Sequence, residues 1–346
     1  MQTTSTEPAM VVIAAPDVQD VLVRALIRGG ATPADSQIQA EVLLEGELRG
    51  HASHGIRRLP VLLGRLKSGA ATSGLEPGLR WHSDSALRVD GRRGLGPVVA
   101  AKALDALLAR APHTGVAFAS IHNAGHVGML APYLERIAGN GCAGIALTVS
   151  EALVHPWGGA TAMVGTNPIG IGVPTLGPPL IVDMSTAQVS AGKILDFAAR
   201  GEDIPLGWAV DETGGSTTDP VAAAHGALSP FGGPKGYALG LGMEAFVGLL
   251  AGSAFGQDVR GTLDTEHAPT KGDIFIVLSV EALEAQGGLA PLTEYLDEVR
   301  ASATAGHVHV PGDRARAERA RRSAEGIPLD AKVWRQAVAL SEGIAE

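Results

Sequence analysis

The sequence predicts an α/β protein. Short β-like segments alternate with Ala-rich helical ones through the middle of the chain, helical three-to-four spacing of apolar residues fills positions 16–70, and Gly-rich connections separate the elements. In α/β proteins such connections are where chemistry usually sits.

Taken in order, VQDVLVRALIRGG and SQIQAEVLLEGELRG read as amphipathic helices, the second opening at Pro33-Ala34-Asp35-Ser36. Leu59–Leu66 continues as a third helix carrying Arg57, Arg58 and Arg65. ALRVD, GVAFASI, AGIALTV and PLIVDM then read as strands, between helices such as VVAAKALDALLARA and APYLERIAG. The connections are GRRGLGP, HNAGHVG, PWGGATAMVGTNPIGIGVP and SPFGGPKG. Tyr237–Gly256 is almost wholly apolar and long enough to cross a bilayer of about 30 Å. Glu244 near its middle and its glycines argue instead for a buried helix of a core, and the GxGxxA match at Gly240–Ala245 lacks the strand that a dinucleotide fingerprint needs. GDIFIVLSV is a further strand, APLTEYLDEVRASA a helix, and DRARAERARRSAEG a solvated helical face laced with surface ion pairs.

Composition narrows the function. The 346 residues are 45% hydrophobic and only 18% charged, enough for a large core in one or two domains. A net charge of −9 without a basic, aromatic-interleaved stripe points away from nucleic acid, and no membrane partner is expected. The single Cys142, in the apolar run GCAGIALTV, fits a reducing compartment; with no export signal in MQTTSTEPAM, the expected location is cytoplasmic.

The densest chemistry lies in Leu48–Arg58, where His51, His54, Ser53, Arg49, Arg57 and Arg58 crowd together. Histidine exchanges protons near neutral pH and arginine clamps carboxylates, so this segment predicts acid/base chemistry on a small anionic carboxylate substrate. His51 and His54 would share a helical face, but no HExxH, cysteine pair or carboxylate-rich companion accompanies them, and no metal is expected. His126, between Gly125 and Gly128, is a loop histidine following a strand; His122 has only proximity in its favour. Thr166 and Asn167 of GTNP can donate to an oxyanion or carboxylate, or simply build a turn. Asp183, Met184 and Ser185 end a strand, where ribose or phosphate contacts are made, with a helix cap for STAQVSAGK as the competing role of Asp183. Lys193 and Lys235 could each neutralise a phosphate, as could Arg314 or Arg316 beside Pro311-Gly312, and Asp196 could orient a histidine.

RGHASHGIRRLP, GHVG, PWGG with GTNP, VDMSTAQVSAGK, IPLGWAVDETG with TTDP, and GGPKGYALG together resemble the malate/L-lactate dehydrogenase family of NAD(P)-dependent oxidoreductases that lack a Rossmann fold. The resemblance runs in order from about residue 16 to 330. It implies a homodimer, a non-Rossmann mixed-sheet cofactor domain over residues 76–289, and a helical domain formed by both chain termini, residues 1–75 with 290–346. It implies catalytic roles for Ser53, His54 and His126, a carboxylate clamp in Arg58, and a substrate contact in Thr166. Nucleotide-binding positions fall on Ser150, Asp183, Met184, Ser185, Lys235, Pro311, Gly312 and Asp313, with NAD or NADP as cofactor. Asp196 corresponds to a relay aspartate of the imine-reductase branch, and Leu62, a tyrosine in some members, implies an apolar wall beside the substrate. Ser150-Glu151 and HNAGHVG depart from the family's commoner Asn-Ser and NSNHFG.

The expected reaction is reversible hydride transfer between nicotinamide and C2 of a small 2-oxo/2-hydroxy acid or, alternatively, a cyclic imino acid such as piperideine- or pyrroline-2-carboxylate. His54 or His126 is the acid. A non-catalytic nucleotide-binding protein and a metal-dependent hydrolase or lyase using His51, His54 and His126 are the rivals.

Overall fold

A computed structural model describes residues 9–344. In chain order the elements are β1 (Met10–Ile13), α1 (Ala15–Arg28), α2 (Pro33–Leu48), α3 (Leu59–Ser68), β2 (Gly78–Trp81), β3 (Ala86–Gly94), α4 (Gly96–Thr114), β4 (Val116–Ala124), α5 (Ala131–Gly139) and β5 (Cys142–Thr148). They continue with β6 (Ala152–Val154), β7 (Val164–Gly165), β8 (Ile169–Val173), β9 (Leu180–Met184), α6 (Ala191–Arg200), β10 (Ala209–Val210), α7 (Pro220–His225), β11 (Ala227–Leu228) and α8 (Pro234–Val247). The chain closes with β12 (Gly272–Ser279), α9 (Leu289–Ala301), α10 (Asp313–Glu325), β13 (Ile327–Asp330) and α11 (Ala331–Glu342).

The main sheet has seven strands in the order β2-β3-β4-β12-β5-β8-β9. β3 pairs in parallel with β4 and the other neighbours pair antiparallel, so the sheet is mixed. β12 lies at its centre, and its unbroken apolar run suits a strand covered on both faces. Phe275 and Val277 pack with Leu104 and Leu107 of α4 and Tyr133 of α5, while Ile274 packs with Met243 and Val247 of α8. Each such fully buried side chain contributes about 1.5–3 kcal/mol. A smaller sheet, β10-β11-β6-β7, packs Val154, Val164 and Leu228 against Ile194 of α6.

The two chain ends meet. β1 pairs antiparallel with β13, Met10 opposite Asp330 and Ile13 opposite Ile327, and Leu22 and Leu26 of α1 share one core with Leu43 and Leu48 of α2, Leu59 of α3 and Leu329. Thr32 caps α2 by accepting the Asp35 N–H, one residue ahead of the predicted start at Pro33.

Three expectations need correcting. Tyr237–Gly256 is not a helix buried all round: α8 ends at Val247, a π-helical turn spans Gly248–Gly252, and only one face is covered. Met243, Glu244 and Val247 point into the core, whereas Leu241, Phe246 and Leu249 are exposed, because α8 lies on the sheet with no further layer over it among the described residues. No described helix is long and apolar enough to cross a membrane. α10 is more than a solvated face: it carries the expected Arg321–Glu318 and Arg321–Glu325 pairs, but Arg319 binds Glu45 of α2 and Arg322 donates to the Glu47 carbonyl. Leu62 is buried in the core of the chain ends, not free to wall a substrate.

Candidate active site

Two short 3-10 turns, Ala52–His54 and Ile56–Arg58, follow α2 and hold the first histidine cluster. α2 fixes them from below. Glu47 Oε1 accepts the Ile56 N–H at 2.8 Å, and a Cβ on Gly55 would lie only 2.0 Å from that oxygen, so glycine is required where the turn closes over the carboxylate. Ser53 Oγ and His54 Nδ1 are 3.0 Å apart, and among the described residues His54 Nε2 has no hydrogen-bond partner.

The second histidine arrives from the main sheet. His126 follows β4, and its Nδ1 accepts the Gly128 N–H at 2.9 Å, so the neutral ring carries its proton on Nε2. The His54 and His126 ring centroids are 5.6 Å apart. Burial, then the positive charge of Arg58, depresses both imidazoles, His54 to about 4 and His126 well below its ordinary value, so both are neutral at physiological pH.

Arg58 is fixed by donating from Nη2 to the Thr262 carbonyl at 2.6 Å. Thr262 is in turn held by Glu151, whose Oε1 accepts the Thr262 N–H, the Thr262 hydroxyl and the Leu263 N–H. Ser150, next in the chain to Glu151, exchanges a hydrogen bond with Thr166 Oγ1 at 3.1 Å and accepts the Thr166 N–H at 2.8 Å. Arg58 and Thr166 therefore belong to one braced unit.

The end of β9 joins the same region. Ser185 Oγ donates to the Thr166 carbonyl. Asp183 Oδ2 accepts the Leu130 and Ala131 N–H groups, each at 2.8 Å, and so caps α5; the cap of α6 is Ser190, not Asp183. Desolvation raises the Asp183 carboxyl despite those amides and the nearby His51, although the residue keeps surface open to solvent. Met184 is 40% exposed.

Other predicted residues lie apart or are already engaged. Asp196 pairs with Arg57 at 2.7 Å, with no hydrogen bond to Ser53 or His54. Lys193 sits 5.9 Å from the Trp208 ring. Pro311 accepts the Ile181 N–H at the opposite end of β9 from Asp183, and Gly312 starts α10 with φ 97°. Asp313 is bound by Arg300 and Arg316, which hold its carboxyl at about 2, and Arg316 also donates to the Pro179 carbonyl, so Asp313 is not free to meet a nucleotide nor Arg316 a phosphate. Lys235 projects from the first turn of α8, not from the loop before it, and among the described residues makes no ion pair. His51 is not placed with two further His, Cys, Asp or Glu side chains to hold a metal; no described group is.

Sequence reasoning gave no site role to Glu151, Thr262 or Glu244, although Glu151 stood out in the departure from the family's Asn-Ser pair and Glu244 as a charge within an apolar run. Asn167, offered as an oxyanion or carboxylate donor, is instead spent on Ser150, Gly240 and Glu244. An open cavity of about 480 Å³ adjoins Glu151, lined also by Glu212, His225 and Arg260, and holds neither His54 nor His126. The imidazole pair with the braced arginine is the better-built centre.

A neutral Nε2–H donor, a second neutral imidazole backed by a hydroxyl, and a guanidinium are the parts needed to hold a carboxylate and move one proton beside it. Comparison with known proteins gives the same reaction class. The family model described as malate/L-lactate dehydrogenase matches residues 13–337. The malate/(S)-sulfolactate dehydrogenase of Methanothermus fervidus is 35% identical over 93% of this chain and 95% of its own. The Δ1-pyrroline-2-carboxylate reductase of Ancylobacter novellus is 33% identical over 91% and 93%. The crystal structure of a dehydrogenase from Sinorhizobium meliloti superposes with a TM-score of 0.92 at 44% identity, covering 96% of this chain and 99% of the other. The shared architecture, matched length and histidine–arginine centre lead to one conclusion: this chain belongs to the malate/L-lactate dehydrogenase family and is a nicotinamide-dependent oxidoreductase.

Proposed function

We propose that the protein transfers a hydride reversibly between NAD(P)H and C2 of a small 2-oxo acid, giving the 2-hydroxy acid. The observation that carries the reading is that the Ser53–His54 pair and His126, from two separate parts of the chain, lie side by side, with Arg58 near enough for its charge to depress both imidazoles. A second reading, reduction of a cyclic imino acid, is supported by the Δ1-pyrroline-2-carboxylate reductase among the relatives.

A bound nicotinamide supplies the hydride in reduction and accepts it in oxidation. Arg58 holds the substrate carboxylate with the N–H groups not spent on Thr262, and Thr166 adds a contact through its hydroxyl. His126 Nε2–H points its hydrogen bond at the C2 oxygen, whose charge grows as hydride arrives. His54 moves the proton: in oxidation its neutral Nε2 takes it from the hydroxyl while Nδ1 donates to Ser53. Asp196 is a positioning residue only if it leaves Arg57.

The nucleotide fits residues of this chain. α8 begins without a side-chain cap or an acidic residue in its first turn, after Gly232 and Gly233, both at positive φ, so its amides and Lys235 suit a phosphate. Asp183, Met184 and Ser185 at the end of β9 and Ser150 after β5 are read as nucleotide contacts. Pro311, Gly312 and Asp313 meet β9 at its other end, where Asp313 is already held by Arg300 and Arg316, and NADH and NADPH both suit the remaining groups. The shared core of the chain ends supports reading 1–75 with 290–346 as a helical domain. The mixed sheet supports 76–289 as a cofactor domain outside the doubly wound parallel fold. The buried free thiol of Cys142 suits the cytoplasm, and exposed apolar residues on α8 suit a homodimer.

The test follows NADPH and NADH absorbance with pyruvate, oxaloacetate, sulfopyruvate, piperideine-2-carboxylate and pyrroline-2-carboxylate. Turnover of an oxo acid supports the first reading, turnover of the imines alone the second, and silence on every pair sinks both.

A further inference from the structure

Glu244 is a buried acid, 3% exposed, in the middle of the apolar helix α8. Among the described residues no cation lies in ion-pair reach of it. All its partners are neutral N–H donors: Oε2 accepts from the Gly165 amide at 3.0 Å and from Asn167 Nδ2 at 2.8 Å, and Oε1 accepts from the Gly256 amide at 2.6 Å. Burying a carboxylate with no opposite charge beside it is expensive, and here the cost is met by three N–H donors that Leu or Met would leave without acceptors. Its two oxygens point to two different segments. Gly165 and Asn167 flank Thr166, and Asn167, fully buried at φ 29°, also accepts the Ser150 N–H. Gly256 opens the loop that runs to Thr262, whose carbonyl fixes Arg58.

We propose that Glu244 is a positioning residue that joins the Thr166 turn to the loop bracing Arg58 and so sets the spacing between the two substrate contacts. This rests on the proposed function, in which both residues touch substrate. Glutamine cannot replace it: three N–H donors need acceptors on both oxygens, and the carboxamide of Glu244→Gln would set its own N–H against one segment or the other. The double approach of α8 and turn is built in elsewhere, since a Cβ on Gly240 would lie 2.8 Å from Thr186 Oγ1 and the Gly240 carbonyl accepts from Asn167.

The experiment compares the parent protein with E244Q and with E244D, which keeps both acceptors but withdraws them by a methylene. Amide exchange is read over 160–168 and 254–265, alongside KM, kcat and NADPH affinity on whichever of the five substrates the parent turns over. The expected result is faster exchange confined to those two segments and a loss of about ten- to hundredfold in kcat/KM, carried mostly by KM, with NADPH affinity within about twofold. E244D, the fold-safe variant, shows the same split at smaller size. Unchanged exchange removes the clamp. Faster exchange with parental kinetics removes the positioning role, and so does a uniform fall in exchange protection, melting temperature and both affinities in the two variants, which marks a merely structural acid. Silence of the parent itself on every substrate defeats the proposed function instead, and the exchange arm reports on the clamp separately.

Discussion

His54 and His126 are neutral for the same two reasons, burial and Arg58, but they are prepared for different work by what their Nδ1 atoms meet. A backbone N–H on His126 Nδ1 forces the proton to Nε2, so this ring donates and cannot act as a base. A serine hydroxyl on His54 Nδ1 accepts or donates, so that ring can be either. Replacing His54 by Asn is therefore expected to lower kcat about 10²–10⁴-fold in both directions, while His126→Gln, which retains an N–H donor, costs far less than His126→Ala. The pH profile follows with a definite sign. A base depressed to about 4 stays unprotonated down to that pH, so the acid limb of kcat/KM for hydroxy-acid oxidation falls near pH 4 and not near 6.5. In kcat the limb moves up, because a bound carboxylate offsets the Arg58 charge that helped depress the ring. A limb at pH 6–7 in kcat/KM would show that another group is the base.

Elements bring these residues together through caps and close approaches that leave little trace in periodicity. Asp183 caps α5 from a strand about fifty positions later in the chain, so replacing it by Ala is expected to cost about 1–2 kcal/mol in urea unfolding, and Asn to cost less, since one oxygen takes both amides and the Asn carbonyl can stand in for it, losing only the charge. Parental stability for Asp183→Ala would leave the α5 amides satisfied by something else. The helices and most strands of the main sheet were legible because their faces are buried in regular patterns: Val18, Leu22 and Leu26 on α1, and the whole of β12. The dense Leu48–Arg58 cluster and His126 were legible as chemistry by residue type alone. The engagement of Asp313 and Asp196 was not, because Arg300, Arg316 and Arg57 choose among carboxylates by position in space, which spacing along the chain does not encode. Nor was the covering of α8: an apolar run predicts burial, but whether the cover comes from this chain or from another lies outside its own periodicity.

At the scale of the whole molecule that uncovered face is the main unbalanced feature. Leu241, Phe246, Leu249 and Phe255 stand out from α8 and the turns after it, Leu249 at 78% exposure, on a helix whose opposite side carries Glu244 and whose first turn carries Lys235. Apolar surface gathered on one element is costly to leave in water and marks an association site in soluble proteins. The family resemblance implies a homodimer, and a second copy of this chain is the occupant that the α8 face is expected to meet. Light scattering should then give twice the mass of 35.3 kDa for the parent, and Leu249→Asp combined with Phe246→Asp should shift it toward the monomer. Because α8 also carries the clamp on Thr166 and the proposed phosphate contact, the monomeric variant is expected to lose activity beyond what two surface changes explain, and to regain part of it as protein concentration rises. A parent that scatters as a monomer at micromolar concentration overturns the dimer; a dimer untouched by both aspartates moves the interface elsewhere and leaves α8 facing water at a cost that the rest of the fold must offset.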